Sequence, residues 1–378
     1  MTIYRADHCG SLLRPRYLRD ALADRAYGKL SAEEMTAKED RAILEALDMQ
    51  KQAGLKIFSD GEFRRRFWLS AISEEFIDGM KNQGIDYIRY PFLKGKDVES
   101  PELFVPPNPV VVGKLGRKKR ITADEIEFLR AHAPGTFKIT VPSPVTLSRS
   151  QYREGVSDKV YPTWAEFFDD YARLMADEIA DIVKDGVTYI QIDAPHYTRF
   201  IVPGRRAQLT DLGIDLEAEL DRTLDAENRC LRAARGDGVT VALHICLGTY
   251  ILGPQGPMGG AGDYDGAIIE RIVNELEADV LLIEYSERAG EMATLRDTSE
   301  DKIVALGLVN TRDPRVETVD ELVAKVETAA RYHPVEKLSI CPNCGFSGAA
   351  ADSWVTEDIQ KRKLETLVAA AEKVWPAG

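Results

Sequence analysis

A (β/α)8 TIM barrel is the fold class predicted by three observations. Short apolar runs recur between longer helical stretches, polar and ligand-type residues stand at the ends of those runs, and 378 residues pass without a sign of a second core. Eight runs read as buried strands: residues 5–11 (RADHCGS), 55–61 (LKIFSDG), 137–143 (FKITVPS), 189–195 (YIQIDAP), 240–246 (TVALHIC), 280–286 (VLLIEYS), 302–310 (KIVALGLVN) and 337–345 (KLSICPNCG). The first is the least strand-like. Helical stretches such as TAKEDRAILEALDMQKQAG and WAEFFDDYARLMADEIADIVKDG lie between them, each closing on a glycine suited to a helix C-terminus. An open, doubly wound sheet is the alternative arrangement of the same elements. Residues 85–135 are too long for a plain connection and predict an inserted hairpin or excursion. No repeat or low-complexity linker interrupts the chain, so residues 1–378 are expected to form a single catalytic barrel domain.

The composition is that of a soluble globular protein, 44% apolar and 29% charged. With 49 basic against 62 acidic residues, the formal charge of -13 argues against a surface for polyanions, so no nucleic-acid partner is expected. The N-terminal stretch has no apolar core of signal-peptide length. No window approaches the roughly 20 apolar residues of a membrane span. A cytoplasmic setting without membrane attachment is the expectation; self-association is left open. Cys9, Cys230, Cys246, Cys341 and Cys344 are too few and too scattered for a disulfide framework, which leaves thiols available as ligands or nucleophiles.

Chemistry in such a barrel belongs at the C-terminal ends of the strands. The second predicted strand ends in Asp60 followed by Glu62, the third in Ser143, the fourth in Asp193 followed by His196. The fifth carries His244 and Cys246, the sixth Glu284, the seventh Asn310 and the eighth Cys344. His244 and Cys246 are two residues apart, so one face of a strand presents both. Together with Glu284 and Cys344 they offer an imidazole, two thiols and a carboxylate, a donor set that suits tetrahedral Zn2+. A zinc site with one displaceable ligand can admit a substrate thiol and favour its thiolate. Taken singly, each residue has a plainer reading: a core His and Cys pair, a salt-bridged Glu, a redox CPNC. Their convergence on one face of the barrel favours the metal.

At this point the chain resembles the cobalamin-independent methionine synthase family, in particular its C-terminal catalytic barrel and short stand-alone homologues. The likeness runs through ADHCGSLLRP, GLKIFSDGEFRRRFW, VPSPVTL, YIQIDAP, HIC, LLIEYSE, GLVNTRDPRVET and CPNCGF, in the family's order. The resemblance implies that His244, Cys246, Glu284 and Cys344 ligate zinc and that Ser11, Glu62 and Asp193 hold the amino-acid or thiol substrate beside it. The implied reaction is alkyl transfer, in the first instance methyl, to a zinc-bound thiolate, with a small thiol as acceptor and a folate, a methylcobamide or an epoxide as the source of the alkyl group. Three departures bear on substrate. Arg312 stands where the family has a His that handles the leaving group's proton, a folate-stacking Trp has no counterpart near Ser150, and LGT follows HIC where short homologues continue Arg-Gly-Asn. Two other functions therefore stay open: opening of an epoxide by a thiol such as coenzyme M, and a non-catalytic barrel with structural zinc. The uroporphyrinogen decarboxylases share the architecture without this ligand set.

Further features have two readings each. The glycine-rich stretch from Gly253 to Gly266 is a lid or a surface insertion. The basic run 116–120 (GRKKR) meets an anionic donor or is a solvated hairpin face. One of Arg64, Arg65 and Arg66 binds a substrate anion, or all three form salt bridges. His8 and His196 act as acid or base, or orient a carboxylate; Cys9 approaches the metal or is a core thiol.

Overall fold

The computed structural model describes residues 2–65, 73–82, 109–146, 151–245, 266–285, 295–348 and 355–376. An antiparallel hairpin, β1 (Ile77–Asn82) with β2 (Pro109–Arg117), comes first. Six parallel strands follow, hydrogen-bonded in chain order: β3 (Ile139–Pro142), β4 (Tyr189–Asp193), β5 (Thr240–Ile245), β6 (Val280–Glu284), β7 (Ile303–Val309) and β8 (Leu338–Pro342). Two isolated parallel bridges extend this sheet at its edges, Ala6 with Ile340 of β8 and Phe58 with Phe137 just before β3. Those two segments meet each other, because Leu12 N donates to Gly61 O at 3.1 Å and Ser59 Oγ to Gly10 O at 2.8 Å. The ring therefore closes with eight staves and the fold is an α/β barrel.

The first two staves differ from the strands expected at 5–11 and 55–61, being single bridges rather than ladders. Side chains take over part of the ladder's work there. His8 Nε2 faces Ile57 O at 3.3 Å, and Gly10 N donates to His8 Nδ1 at 3.2 Å, which places the ring proton on Nε2. Both ring nitrogens are thus bound to backbone, and burial, with Lys138 nearby, pushes the imidazole down to about 3. His8 is a neutral structural joint rather than an acid or base.

The alternation of side chains along each strand separates two cores. Outward residues such as Ile139, Val141, Ile190, Ile192, Val241 and Leu243 pack under the helices. Inward residues, including Cys9, Ile57, Tyr189, Ala242, Leu282, Ala305 and Cys341, fill the barrel. Because both faces are buried, the strands read in the sequence as continuous apolar runs. Five helices are begun by side-chain caps worth ~1 kcal/mol each: Ser31 before Ala32–Gln52, Thr163 before Trp164–Lys184, Asp215 before Leu216–Ala233, Thr318 before Val319–Ala329 and Thr356 before Glu357–Val374. Helix Trp164–Lys184 buries Phe167, Phe168, Tyr171, Leu174, Met175, Ile179 and Ile182, at the three- and four-residue spacing of one helical face.

The predicted insertion is the β1–β2 hairpin and helix Ala123–His132, with residues 83–108 outside the described ones. Its basic run turns back on the chain. Arg117 pairs with Glu178 at 3.0 Å and Asp181 at 2.7 Å, Lys119 with Glu75 at 2.7 Å, and Arg120 with Asp185 at 2.8 Å, while Lys118 donates to Glu74 O at 2.7 Å. Intrachain pairing, not an anionic ligand, accounts for GRKKR. Among the described residues no helix is long and apolar enough to cross a membrane.

Candidate active site at the barrel mouth

Glu62 stands at the C-terminal end of the second stave with φ of 61°, the one non-glycine residue in the left-handed region among the described residues. Such a backbone costs about 1–3 kcal/mol and persists only where its surroundings impose it. Here Asp60 Oδ1 accepts from Glu62 N at 2.9 Å, and the buried Arg14 donates to Glu62 O at 2.7 Å and Arg65 O at 2.5 Å. The carboxylate accepts from Thr140 Oγ1 at 2.7 Å and lies 3.4 Å from Arg65 Nη1. Burial raises its pKa to about 7, opposed by Arg65 and reinforced by the Asp193 carboxylate across the mouth. Two acids therefore face one space. Arg65 is itself forked onto Glu125 at 2.8 and 2.6 Å, and Arg64 reaches Asp40 at 2.5 Å, so salt bridging is the role of both; Arg66 lies outside the described residues.

Asp193 and His244 are register partners at the ends of β4 and β5. Asp193 Oδ1 lies 3.2 Å from His244 Nδ1 and accepts from Gln191 Nε2 at 2.7 Å. A carboxylate opposite Nδ1 places the ring proton there and leaves the lone pair on Nε2. Among the described residues that Nε2 is buried and accepts or donates no hydrogen bond within normal distance. Although burial opposes it, the neighbouring Cys9 thiol and Asp193 hold the ring's pKa well above the ordinary imidazole value, and a buried nitrogen so placed costs about 1–3 kcal/mol unless something binds it. A metal ion is such a partner.

Glu284 ends β6 opposite Gly307 of β7. A Cβ on Gly307 would lie 2.8 Å from Ile283 O, 2.9 Å from Asn343 Cα and 3.1 Å from Glu284 Cα. The bare glycine is what allows the end of β6 to approach the turn that carries Cys344, itself buried two residues beyond β8. On the other side of that turn a Cβ on Gly345 would meet Ser11 Oγ at 1.9 Å, and Phe346 N donates to Ser11 O at 2.9 Å. Ser11, Glu284 and Cys344 are thereby drawn to one rim. Among the described residues no three His, Cys, Asp or Glu side chains already form a metal-sized group, and Cys246 lies outside those residues. The orphaned Nε2 and the imidazole, carboxylate and thiol donors nonetheless fit a zinc-type ligand set.

The remaining candidates are placed as follows. His196 follows β4, and burial with Arg199 and Arg205 nearby holds its ring well below the ordinary imidazole range. Arg312 is buried beyond β7, donating to Phe346 O at 2.8 Å and, through its backbone N, to Asn310 Oδ1 at 2.9 Å. Ser143 Oγ donates to Glu227 Oε2. Cys9 lies inside the barrel beside Cys341 and His244, and its hydrogen bond to Cys341, with burial, pushes the thiol well up. Residues 246–265, with most of the glycine-rich stretch, lie outside the described residues. Four buried residues that position this mouth went unnoticed in the sequence: Arg14, Lys138, Thr140 and Gln191. For three of them the signal was there, a polar residue at every second place in FKITVPS and YIQIDAP.

Residues 8–373 match the family model described as cobalamin-independent synthase, catalytic domain. The chain belongs to that family. Among curated relatives of this synthase-family chain, YxjH of Bacillus subtilis, an uncharacterized protein, is 29% identical over 98% of this chain and 95% of its own. A methionine synthase of Saccharolobus solfataricus is 24% identical over 97% and 93%. The crystal structure of a putative vitamin-B12-independent methionine synthase from Listeria monocytogenes superposes with a TM-score of 0.74 at 23% identity, covering 100% of this chain and 99% of that one. A B12-independent methionine synthase from Shewanella, solved with selenomethionine, gives 0.72 at 22% identity over 99% and 98%. At these identities the structural likeness carries the barrel fold.

Proposed function

We propose that the chain is a single-domain, cytoplasmic transferase that moves a methyl group onto the sulfur of an amino-acid thiol, homocysteine in the first instance, with zinc held by His244, Cys246, Glu284 and Cys344. The observation that carries this reading is the buried His244 ring, turned by Asp193 so that Nε2, which makes no hydrogen bond within normal distance among the described residues, is left for a metal. Membership of the synthase family and the methionine synthase relatives support it. When bound, zinc supplies a Lewis acid that favours the acceptor's thiolate at neutral pH.

The rest falls to the chain's own residues. Glu62 and Asp193 converge as a pair of acids suited to the substrate's ammonium group, with Ser11 on the same rim. Arg312 brings a fixed cation in place of a proton-donating His. Held in line, the sulfur's electron pair forms the S–CH3 bond while the bond from methyl to donor breaks; the donor leaves with that electron pair, and the proton lost by the thiol ends on the departing nitrogen of a folate or, with a methylcobamide, in solvent. The same two acids repel a sulfonate, which disfavours coenzyme M and epoxide opening.

The test combines zinc analysis with turnover. Purified protein should carry about one zinc per chain and form methionine from homocysteine and either methyltetrahydrofolate or a methylcobamide. Absence of stoichiometric zinc under metal-replete, reducing conditions would refute the metal; zinc without methionine from either donor would refute the substrate.

A further inference from the structure

The geometry points to Lys138 and Gln191 as positioning residues that set the orientation of His244 from inside the barrel, through a relay of hydrogen bonds ending on Asp193. The inference rests on the zinc reading above for its purpose, not for its geometry.

Lys138 is fully buried among the inward side chains, where an unpaired ammonium would be untenable. It donates to Asp7 Oδ1 at 2.6 Å, to His8 O, and to Gln191 Oε1 at 2.8 Å. Three acceptors match the three protons of an ammonium group. Asp7 is in turn fixed by Tyr189, whose hydroxyl donates to Oδ2 at 2.5 Å. Although burial opposes it, Lys138, His8 and Tyr189 hold the Asp7 carboxyl below its ordinary value.

The cation decides which way the Gln191 amide points. With Oε1 on the ammonium, the NH2 group must face the other side, where it donates to Asp193 Oδ1 at 2.7 Å and Cys9 O at 3.2 Å. A flipped amide would set donor against donor at Lys138 and acceptor against acceptor at Asp193. Gln191 and His244 both bond Oδ1, so the carboxylate is held in one rotation and its other oxygen remains for a substrate ammonium. Removing the amide donor lets the Asp193 carboxylate rotate away from Nδ1, after which the proton can sit on either ring nitrogen. Partners one step beyond a metal ligand commonly govern affinity by 10–100-fold.

The experiment uses the full chain with 15N-labelled histidine, of which there are five, and a His244→Asn variant to assign the His244 signal. Gln191→Met removes the donor at nearly constant volume; Asp7→Asn with Lys138→Met removes the buried charges together, so no lone charge is left in the core. Cys9 and Asp193 raise the His244 ring's pKa against the opposing effect of burial, so the metal-free spectra are taken at a pH high enough to neutralise it, where wild type should show His244 protonated on Nδ1 and hydrogen-bonded to Asp193. Gln191→Met should give a mixed or inverted tautomer and bind zinc roughly 10–100-fold more weakly in competition with a chelator, and the double variant should follow in the same direction. If Gln191→Met does not fold, Gln191→Glu, which keeps the bond to Lys138 and loses the donor, takes its place. Folded variants whose His244 tautomer and zinc affinity stay at wild-type values would overturn the relay, even if their melting temperatures fall. A wild type that binds no zinc would sink the metal reading alone, since the tautomer still reports on the relay.

Discussion

Glu62 and Glu227 are both buried carboxyls whose pKa burial raises, to about 7 and about 8, yet they stand on opposite sides of the barrel wall. Glu62 faces the mouth, on a strained backbone, between Arg65 and the Asp193 carboxylate. Glu227 sits on helix Leu216–Ala233 behind the strands, bonded to Ser143 through Oε2 and, among the described residues, with no hydrogen bond at Oε1, and Asp193 adds to its shift. The difference lies in the neighbours: one acid is enclosed by Arg65, Asp60 and the Asp193 carboxylate, the other by a hydroxyl and the apolar layer under the helices. A perturbed carboxyl marks a site only when other groups converge on the same space.

The largest contrast between the two sides should come from the metal itself. Replacing Cys246 by Ser, or His244 by Asn, should take zinc from about one per chain to near zero by elemental analysis and abolish turnover, whereas Glu227→Gln should leave zinc content and kcat/KM at wild-type values. Loss of zinc in Glu227→Gln would erase the distinction. Next, Glu62→Gln should lower kcat/KM for the amino-bearing thiol by roughly 100-fold, the usual consequence of leaving a buried charge partner unpaired. The same variant should change kcat/KM far less for an analogue lacking the amino group. Equal losses for both thiols would show that Glu62 does not hold the ammonium.

Stability against pH separates the acids from the other direction. Glu227 in the folded state keeps its proton up to about pH 8, while the unfolded chain releases it near the ordinary value of 4.5. Its contribution is therefore fully present at low pH and is lost as pH rises between those values. Glu227→Gln removes that loss, so urea unfolding at pH 8 should find the variant more stable than wild type by on the order of 2–4 kcal/mol, with little difference at pH 4. The smallest effect should be at the mouth, where Glu62 ionises near pH 7. KM for an amino-bearing thiol should fall as pH rises from 6 to 8, by up to about tenfold per pH unit on the acid side, and an analogue without the amino group should show less of this trend.

How far such a site can be read from sequence follows from the same contrast. Six of the eight predicted strands appear as strands because both faces of each are buried and its run stays apolar. The first two staves were harder, since their joints are made by His8 and Ser59 side chains, which no periodicity reports. Asp193, His244 and Glu284 were legible because strand ends in a barrel are where polar residues have a reason to stand. Lys138 and Gln191 were overlooked because a polar residue inside an apolar run looks like an interruption until three-dimensional pairing supplies its partner. Glu227 was overlooked for the opposite reason: charges are common on helices, and nothing in one sequence tells which face turns inward. The arginines of EFRRRF, attractive as anion binders on paper, are held at Arg64 and Arg65 by acids from distant segments.

Gly307 has a consequence of another kind. The end of β6 and the turn after β8 come together only because the strand between them carries a hydrogen atom where any other residue would carry carbon. The aperture is thus gauged by a residue that binds nothing. A methyl group introduced there would act as a shim, parting Glu284 from the Cys344 turn by tenths of an ångström, the scale on which ions of different radius are told apart. One methyl, remote from any reacting atom, would be enough to change how the mouth fits the proposed metal.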